Sequence, residues 1–243
     1  MARQIVITGG TSGIGAAIAR RFVADGDVVT LTGRDPERVR SVAAELGARG
    51  EVCDITSAAS VEAFAATLDA PLDVVIAMAG GNAEPDRDEG QEPLSAVALA
   101  DAAWTANLRT NTIGTALTVT ALLPKLRAGG AIIMVSSIGA EYASGPYGAS
   151  KAAVAAWTAG LSAQVGPDGI TVNTIAPGYI EDTAFFGDTM TEQRRQRLID
   201  ATHTKRPGRP EDVAGLAFFL AGPDSRHITG QTIHVNGGAH TTR

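Results

Sequence analysis

Thr8-Gly9-Gly10-Thr11-Ser12-Gly13-Ile14-Gly15 stands between a short β-branched run, Ile5-Val6-Ile7, and an apolar-periodic stretch that begins at Gly13. A second apolar run, Val28-Val29-Thr30-Leu31-Thr32, follows within about 30 residues, the length of one strand–helix–strand unit. A tight turn off a strand needs a residue free to take positive φ, which Gly9 supplies. Backbone reaches a pyrophosphate only where a side chain is missing, as at Gly13, and close helix-on-strand packing asks for another gap at Gly15. The new helix turns unpaired N–H groups and the positive end of its dipole toward such a phosphate. The stretch therefore reads as a dinucleotide-binding loop, with Thr11, Ser12 and Ile14 also contributing.

The same alternation continues outward. Short runs rich in Val and Ile occur at 5–8, 28–32, 51–53, 74–79, 132–135, 171–175 and 232–235. Continuous apolarity over so few residues fits strands buried on both faces. Helical patterns fill the gaps at 13–25, 36–46, 58–68, 99–126, 147–165 and 210–220. Asp35-Pro36-Glu37 offers an N-cap before a first-turn proline, Gly47 a stop, and Thr56-Ser57 a start for the third helix. The expectation is an α/β chain: one doubly wound Rossmann domain over 1–243, a seven-stranded, mostly parallel sheet with helices on both faces. Residues 4–80 mainly bind the dinucleotide, and 130–205 hold the catalytic and substrate-loop region. The polar stretch 80–93, with Glu84, Asp86, Asp88, Glu89 and Glu92, falls near the carboxyl ends of strands and otherwise reads as a solvated acidic loop.

Composition narrows the function. Of 243 residues, 44% are hydrophobic and 19% charged, enough for a large core. Twenty basic against 26 acidic residues leave a net charge of −6, which argues against nucleic acid as a partner. No apolar run reaches the roughly 18 residues of a membrane span. Met1-Ala2-Arg3-Gln4 leads straight into the first strand, so a cytoplasmic setting is expected. Cys53 is the single cysteine, which excludes an internal disulfide, and the four histidines, at 203, 227, 234 and 240, show no metal-ligand spacing. No metal is expected.

Tyrosine is scarce, with Tyr142, Tyr147 and Tyr179 the three present. Tyr147-Gly148-Ala149-Ser150-Lys151 sets a phenol and an ammonium one helical turn apart on a shared face. A phenol of ordinary pKa near 10 is a poor acid at neutral pH, and a lysine beside it favours the phenolate and lowers that value. The pair suits proton donation to a reduced carbonyl oxygen, and Lys151 can also hydrogen-bond a nicotinamide ribose. Tyr142 has no lysine at i+4 and is either a pocket wall or a loop residue.

With Gly-x3-Gly-x-Gly in place of Gly-x-Gly-x-x-Gly, the chain resembles the short-chain dehydrogenase/reductase family, in particular ketoreductases of the 3-oxoacyl-(acyl-carrier-protein) reductase type, from Ile5 to Gly238. The resemblance implies Ser137 as the catalytic serine, with neighbouring Ser136 as the alternative, only ten residues before Tyr147. It implies that the backbone of Asn111 holds a water bonded to Lys151, with Asn107 fitting the register less well. It sets Asp54, beside Ile55, against adenine. Ala77-Met78-Ala79-Gly80 occupies the place of the family's Asn-Asn-Ala-Gly, so Ala79 and Gly80 pass the cofactor while both asparagine side chains are missing. After Pro177-Gly178, the resemblance sets the backbone of Ile180 against the nicotinamide amide and Thr183 on the carboxamide or the phosphates, and makes residues 184–203 a lid, whose Phe185, Phe186 and Met190 read equally as core. The NAD-type acidic residue after the second strand is replaced by Gly33, followed by Arg34, whose forked donors suit a 2′-phosphate. The implied cofactor is NADP(H), with NAD(H) as the alternative.

The resulting expectation is an NADPH-dependent reductase of a small-molecule ketone, including 3-oxoacyl thioesters. The alternatives are an NAD-dependent alcohol or diol dehydrogenase and a catalytically silent NADP-binding regulator. The helices 99–126 and 147–165 resemble those that pair into four-helix interfaces, which implies a homotetramer or homodimer.

Overall fold

A computed structural model of the chain describes residues 2–69, 71–83, 95–142, 144–183, 185 and 190–242. The strands are β1 (Gln4–Thr8), β2 (Val28–Gly33), β3 (Arg49–Val52), β4 (Leu72–Ala77), β5 (Leu126–Val135), β6 (Thr171–Pro177) and β7 (Thr232–Val235). They form one seven-stranded sheet in the order β3-β2-β1-β4-β5-β6-β7. The seven-stranded doubly wound sheet is as expected, and every pairing in it is parallel: helices make the crossovers, and no hairpin joins neighbouring strands among the described residues. The strand order reverses between β1 and β4, and the crevice at their carboxyl ends is where doubly wound sheets bind ligands.

The helices are α1 (Gly13–Ala24), α2 (Pro36–Leu46), α3 (Ala58–Ala66), α4 (Ala96–Asn107), α5 (Gly114–Leu122), α6 (Gly139–Tyr142), α7 (Pro146–Val165), α8 (Glu192–Ala201) and α9 (Pro210–Leu220). Local chemistry sets their ends. Asp35 accepts from Glu37 N–H and Arg38 N–H at the start of α2, and Gly47 closes it with a left-handed φ of 69°. Ser57 and Ser95 cap α3 and α4 in the same way. Two apolar layers cover the sheet. One packs Ile18, Phe22, Val213 and Leu220 on Ile7, Ile76 and Ile133, and the other packs Val61, Phe64, Val119 and Val154 on Val6, Val75 and Ile132. Alternate residues of β1 thus face opposite layers, as a strand buried on both sides requires.

Three expectations need correction. The pattern at 99–126 is not one helix: α4 ends at Asn107, residues Leu108–Ile113 form a π-helical turn, and α5 follows. Pro124 and a 3-10 turn then lead into β5, which begins at Leu126. The region expected as a lid contains α8, capped by Thr191. The acidic stretch from Glu84, and Ala184 and Phe186 of the proposed lid, lie outside the described residues. Among the described residues, no helix is long and apolar enough to cross a membrane.

Candidate active site

The glycine loop closes on the end of β4. Gly9 has φ of 70°, and a Cβ there would lie 2.8 Å from Ala79 Cα, so the loop and Ala79 touch backbone to backbone. A Cβ on Gly15 would sit 2.1 Å from Gly9 O, which allows no side chain where α1 leaves its own turn. Ser12 makes no capping bond, so the first turn of α1 keeps its N–H groups turned outward. Thr183 forms the opposite wall, with Cγ2 3.3 Å from where a Cβ on Gly13 would be. Its hydroxyl donates to Ile180 O at 3.2 Å. Ile180 is in turn fixed by a parallel bridge to Gly208, and Gly178 N–H donates to Val235 O at 2.9 Å. The segment from Pro177 to Thr183 thus folds back over the loop and leaves a glycine-lined cradle suited to a pyrophosphate.

At the adenosine end, Gly33 closes β2 where a Cβ would strike Thr11 Cγ2 at 2.8 Å. Arg34 is exposed just beyond it. Arg38, one turn further along the chain, donates from Nε to Thr11 O at 3.1 Å. The sequence reading missed Arg38, although its i+4 spacing from Arg34 was visible. Asp54 accepts from the N–H and hydroxyl of Thr56, at 2.9 and 2.8 Å. Those bonds, led by the backbone one, hold its carboxyl below the usual range, with Arg34 and Arg109 adding to the effect. Ile55 is buried under α5, its Cδ1 2.7 Å from where a Cβ on Gly114 would be.

The missing Asn-Asn pair has a substitute. Thr8 Oγ1, at the end of β1, accepts from Ala79 N–H at 3.3 Å and ties β1 to β4. Asn111 accepts from Gly81 N–H at 3.0 Å and donates back to Gly81 O at 2.9 Å. Asn107 grips Ala83 in the same two-way fashion, at 3.2 and 2.7 Å. Both amides are fully buried, so Asn107, judged the poorer match, is a structural partner of Asn111. The π-turn places the two side chains on one face beside the strand end.

The reacting groups converge above β5. Ser136 donates to Lys151 O at 2.9 Å, so its hydroxyl points into the protein. Ser137 faces the crevice: its Oγ accepts from Gly139 N–H at 3.0 Å and hydrogen-bonds the Tyr147 phenol. Helix α6 takes up the slack of the ten-residue connection, so the short spacing still brings serine to tyrosine. Lys151 is buried and donates to Val135 O at 3.2 Å. A Cβ on Gly80 would meet Asn111 Oδ1 at 2.6 Å and Lys151 Nζ at 3.1 Å, so these three groups share one spot.

The electrostatics depart from expectation. Burial pushes the Tyr147 phenol above its ordinary value, opposed only by the hydrogen bond to Ser137. Burial brings the Lys151 ammonium down to about 7. Burial outweighs the hydrogen bond at the phenol, which is why the predicted lowering of Tyr147 is not found. Phe185 packs against Tyr147, with ring centroids 5.2 Å apart and the rings tilted by 56°. Tyr142 is largely exposed and meets His240 edge-on at 6.4 Å.

A family model described as Enoyl-(Acyl carrier protein) reductase matches residues 9–240. The chain belongs to the short-chain dehydrogenase/reductase family. It is an NAD(P)-dependent oxidoreductase of that family, and its glycine cradle, Thr183 wall and Tyr147 beside the buried Lys151 fit a nicotinamide dinucleotide. It is 33% identical to dehydrogenase/reductase SDR family member 4 of Sus scrofa, over 96% of this chain and 85% of that protein. It is also 33% identical to the (2S)-[(R)-hydroxy(phenyl)methyl]succinyl-CoA dehydrogenase subunit BbsD of Thauera aromatica, over 97% and 96% of the two chains. Among solved structures it superposes on a blue fluorescent protein from a metagenomic library, in complex with NADPH. That match has a TM-score of 0.82 and 31% identity, covering 98% of each chain. This family member also gathers Glu141, His234 and His240 at one point, a grouping that sequence spacing did not reveal.

Proposed function

We propose that this chain, working as one domain, reduces a ketone on a small molecule to a secondary alcohol with NADPH. The observation that carries the reading is the meeting of Ser137 and Tyr147 beside Gly139 and of Lys151 and Asn111 beside Gly80, after the carboxyl ends of β5 and β4. NADPH, when bound, supplies hydride to the carbonyl carbon. Gly9, Thr11, Ser12, Gly13, Ile14 and Gly15 hold the pyrophosphate, with Asp54 and Ile55 at the adenine and Ala79 and Gly80 along the ribose. Pro177, Gly178, Ile180 and Thr183 fix the nicotinamide end. The residues of this chain then divide the remaining work. Ser137 donates to the carbonyl oxygen and holds it in place. Tyr147, kept protonated by burial, gives its proton to the oxygen as charge develops there. Lys151 orients the nicotinamide ribose and lies next in line to return a proton to Tyr147, and Asn111 keeps Gly80 and Gly81 in place beside it. A thioester substrate is in keeping with two similarities, since the matching family model names an acyl carrier protein and the Thauera relative a CoA compound.

NADPH is favoured over NADH by Arg34 and Arg38. Both are exposed at the mouth of Gly33, where a carboxylate would repel a 2′-phosphate. Oxidation of NADPH against a panel of ketones and 3-oxoacyl thioesters, with NADH run beside it, tests the reading directly. Arg34→Ala is expected to raise KM for NADPH by about tenfold, the size of one charge-assisted contact, and to leave KM for NADH unchanged. Equal constants for the two cofactors in the parent protein would remove the NADPH assignment.

The same reading includes a homotetramer in the cytoplasm. Asn107 is the single buried residue of α4, while Val97, Trp104 and Ile113 are exposed along α4 and the π-turn. β7 is an edge strand whose four residues are all only half-buried. Apolar helix faces and an uncovered edge strand are surfaces that association would protect. Light scattering is expected to give the mass of four chains, and a monomer would contradict this.

A further inference from the structure

We infer that Glu141, His234 and His240 form a divalent transition-metal site of the zinc type. The three side chains come from separate parts of the chain: α6, β7 and the segment after β7. Their ligand atoms all lie within 4.8 Å of one another. His234 Nε2 is 3.4 Å from Glu141 Oε1, and His240 Nε2 is 3.7 Å from Glu141 Oε2. Ligands about 2.0–2.1 Å from a tetrahedral Zn²⁺ stand about 3.4 Å apart, so a small inward movement brings the set to coordination distance. Two imidazoles and one carboxylate, with a fourth position left to water, are a recurrent zinc ligand set, and imidazole selects against Mg²⁺ and Ca²⁺.

The surroundings favour a ligand over a plain ion pair. His234 is mostly buried, and its Nδ1 is one of two buried side-chain polar atoms among the described residues with no hydrogen-bond partner. The loop that carries His240 is already fixed. Asn236 donates to His240 O at 3.0 Å and accepts from Gly238 N–H at 2.9 Å. Tyr142 meets the His240 ring edge-on, and the two imidazole centroids are 5.1 Å apart.

The site is joined to the reacting groups through α6. Gly139, the first residue of that turn, donates to Ser137 Oγ. A metal held by Glu141 pins α6 to β7, and so fixes the turn that orients Ser137. Its role is to position this segment, and no bond of a substrate is made or broken at the ion.

Titration of the chelator-treated full-length protein with Zn²⁺ by calorimetry is expected to give one site per chain. Co²⁺ in its place is expected to show the visible d–d bands of a four-coordinate nitrogen and oxygen site. Glu141→Ala and His240→Ala are each expected to weaken Zn²⁺ binding at least tenfold and to abolish the Co²⁺ bands. Neither residue supports the core, and unchanged far-ultraviolet circular dichroism establishes that the variants are folded. No binding with Zn²⁺ in large excess overturns the inference. So does one-per-chain binding that survives in the Glu141→Ala/His240→Ala double variant, because the metal then sits elsewhere.

Discussion

Tyr147→Phe is expected to lower kcat for ketone reduction by about 10²–10⁴-fold, the usual worth of a positioned general acid, while NADPH binds with unchanged affinity. The substitution removes one oxygen and leaves the ring, so the contact with Phe185 and the packing of α7 persist. The lost oxygen is hydrogen-bonded to Ser137, which then has no proton source to share with the substrate oxygen. Burial raises the phenol above its ordinary value, so the proton is present throughout the neutral range. In the reductive direction the rate should therefore fall only on the alkaline side, as Tyr147 gives up its proton. Stopped-flow measurement of hydride transfer, with NADPH affinity from fluorescence, checks both halves. A variant that keeps its turnover would mean that another group donates the proton.

How much of this was readable from the chain depends on the range of the cause. α2 emerged at the boundaries expected, because Asp35, Pro36 and Gly47 fix its ends by local chemistry. The glycine loop and the Tyr147-Lys151 pair were legible for the same reason, since each lies within one turn or one helix. The helix pattern at 99–126 failed where tertiary demands intervene: the π-turn that swings Asn107 and Asn111 onto residues 81–83 leaves no mark on hydrophobic periodicity. α8 was missed because its sequence, Glu-Gln-Arg-Arg-Gln-Arg-Leu-Ile-Asp-Ala, carries little apolar stripe, and Ile199 is its one buried residue. The choice of Ser137 over Ser136 required the direction of each side chain at the end of β5. Glu141, His234 and His240 were out of reach of any spacing rule, since the sheet and its last strand bring them together. The direction of the Tyr147 shift was misread because charge was weighed and burial was not.

Burial also governs the second large effect. Lys151→Met is expected to lose the reductase activity as thoroughly as Tyr147→Phe and yet to make the protein more stable. Lys151 is 2% exposed, and its ammonium donates to Val135 O. Its folded pKa, about 7, lies far below its ordinary value of 10.5. Between those two values the unfolded chain binds a proton that the folded chain does not, so stability rises with pH across that window and levels off below it. A fall of that size corresponds to a penalty on the order of several kcal/mol near neutrality. Methionine fills a similar volume without charge, and the cost of leaving Val135 O unpaired, about 1–3 kcal/mol, offsets part of the gain. The net expectation is a stabilisation of about 1–3 kcal/mol near pH 7, together with loss of the rise between about pH 7 and pH 10. Urea unfolding at several pH values, for both proteins, measures each quantity. A variant less stable than its parent at pH 7 that retains the same pH slope would show that the buried ammonium is not what strains this site. The lysine that meets Asn111 at Gly80 is thus held there against the preference of the fold, as expected of a group kept for its chemistry.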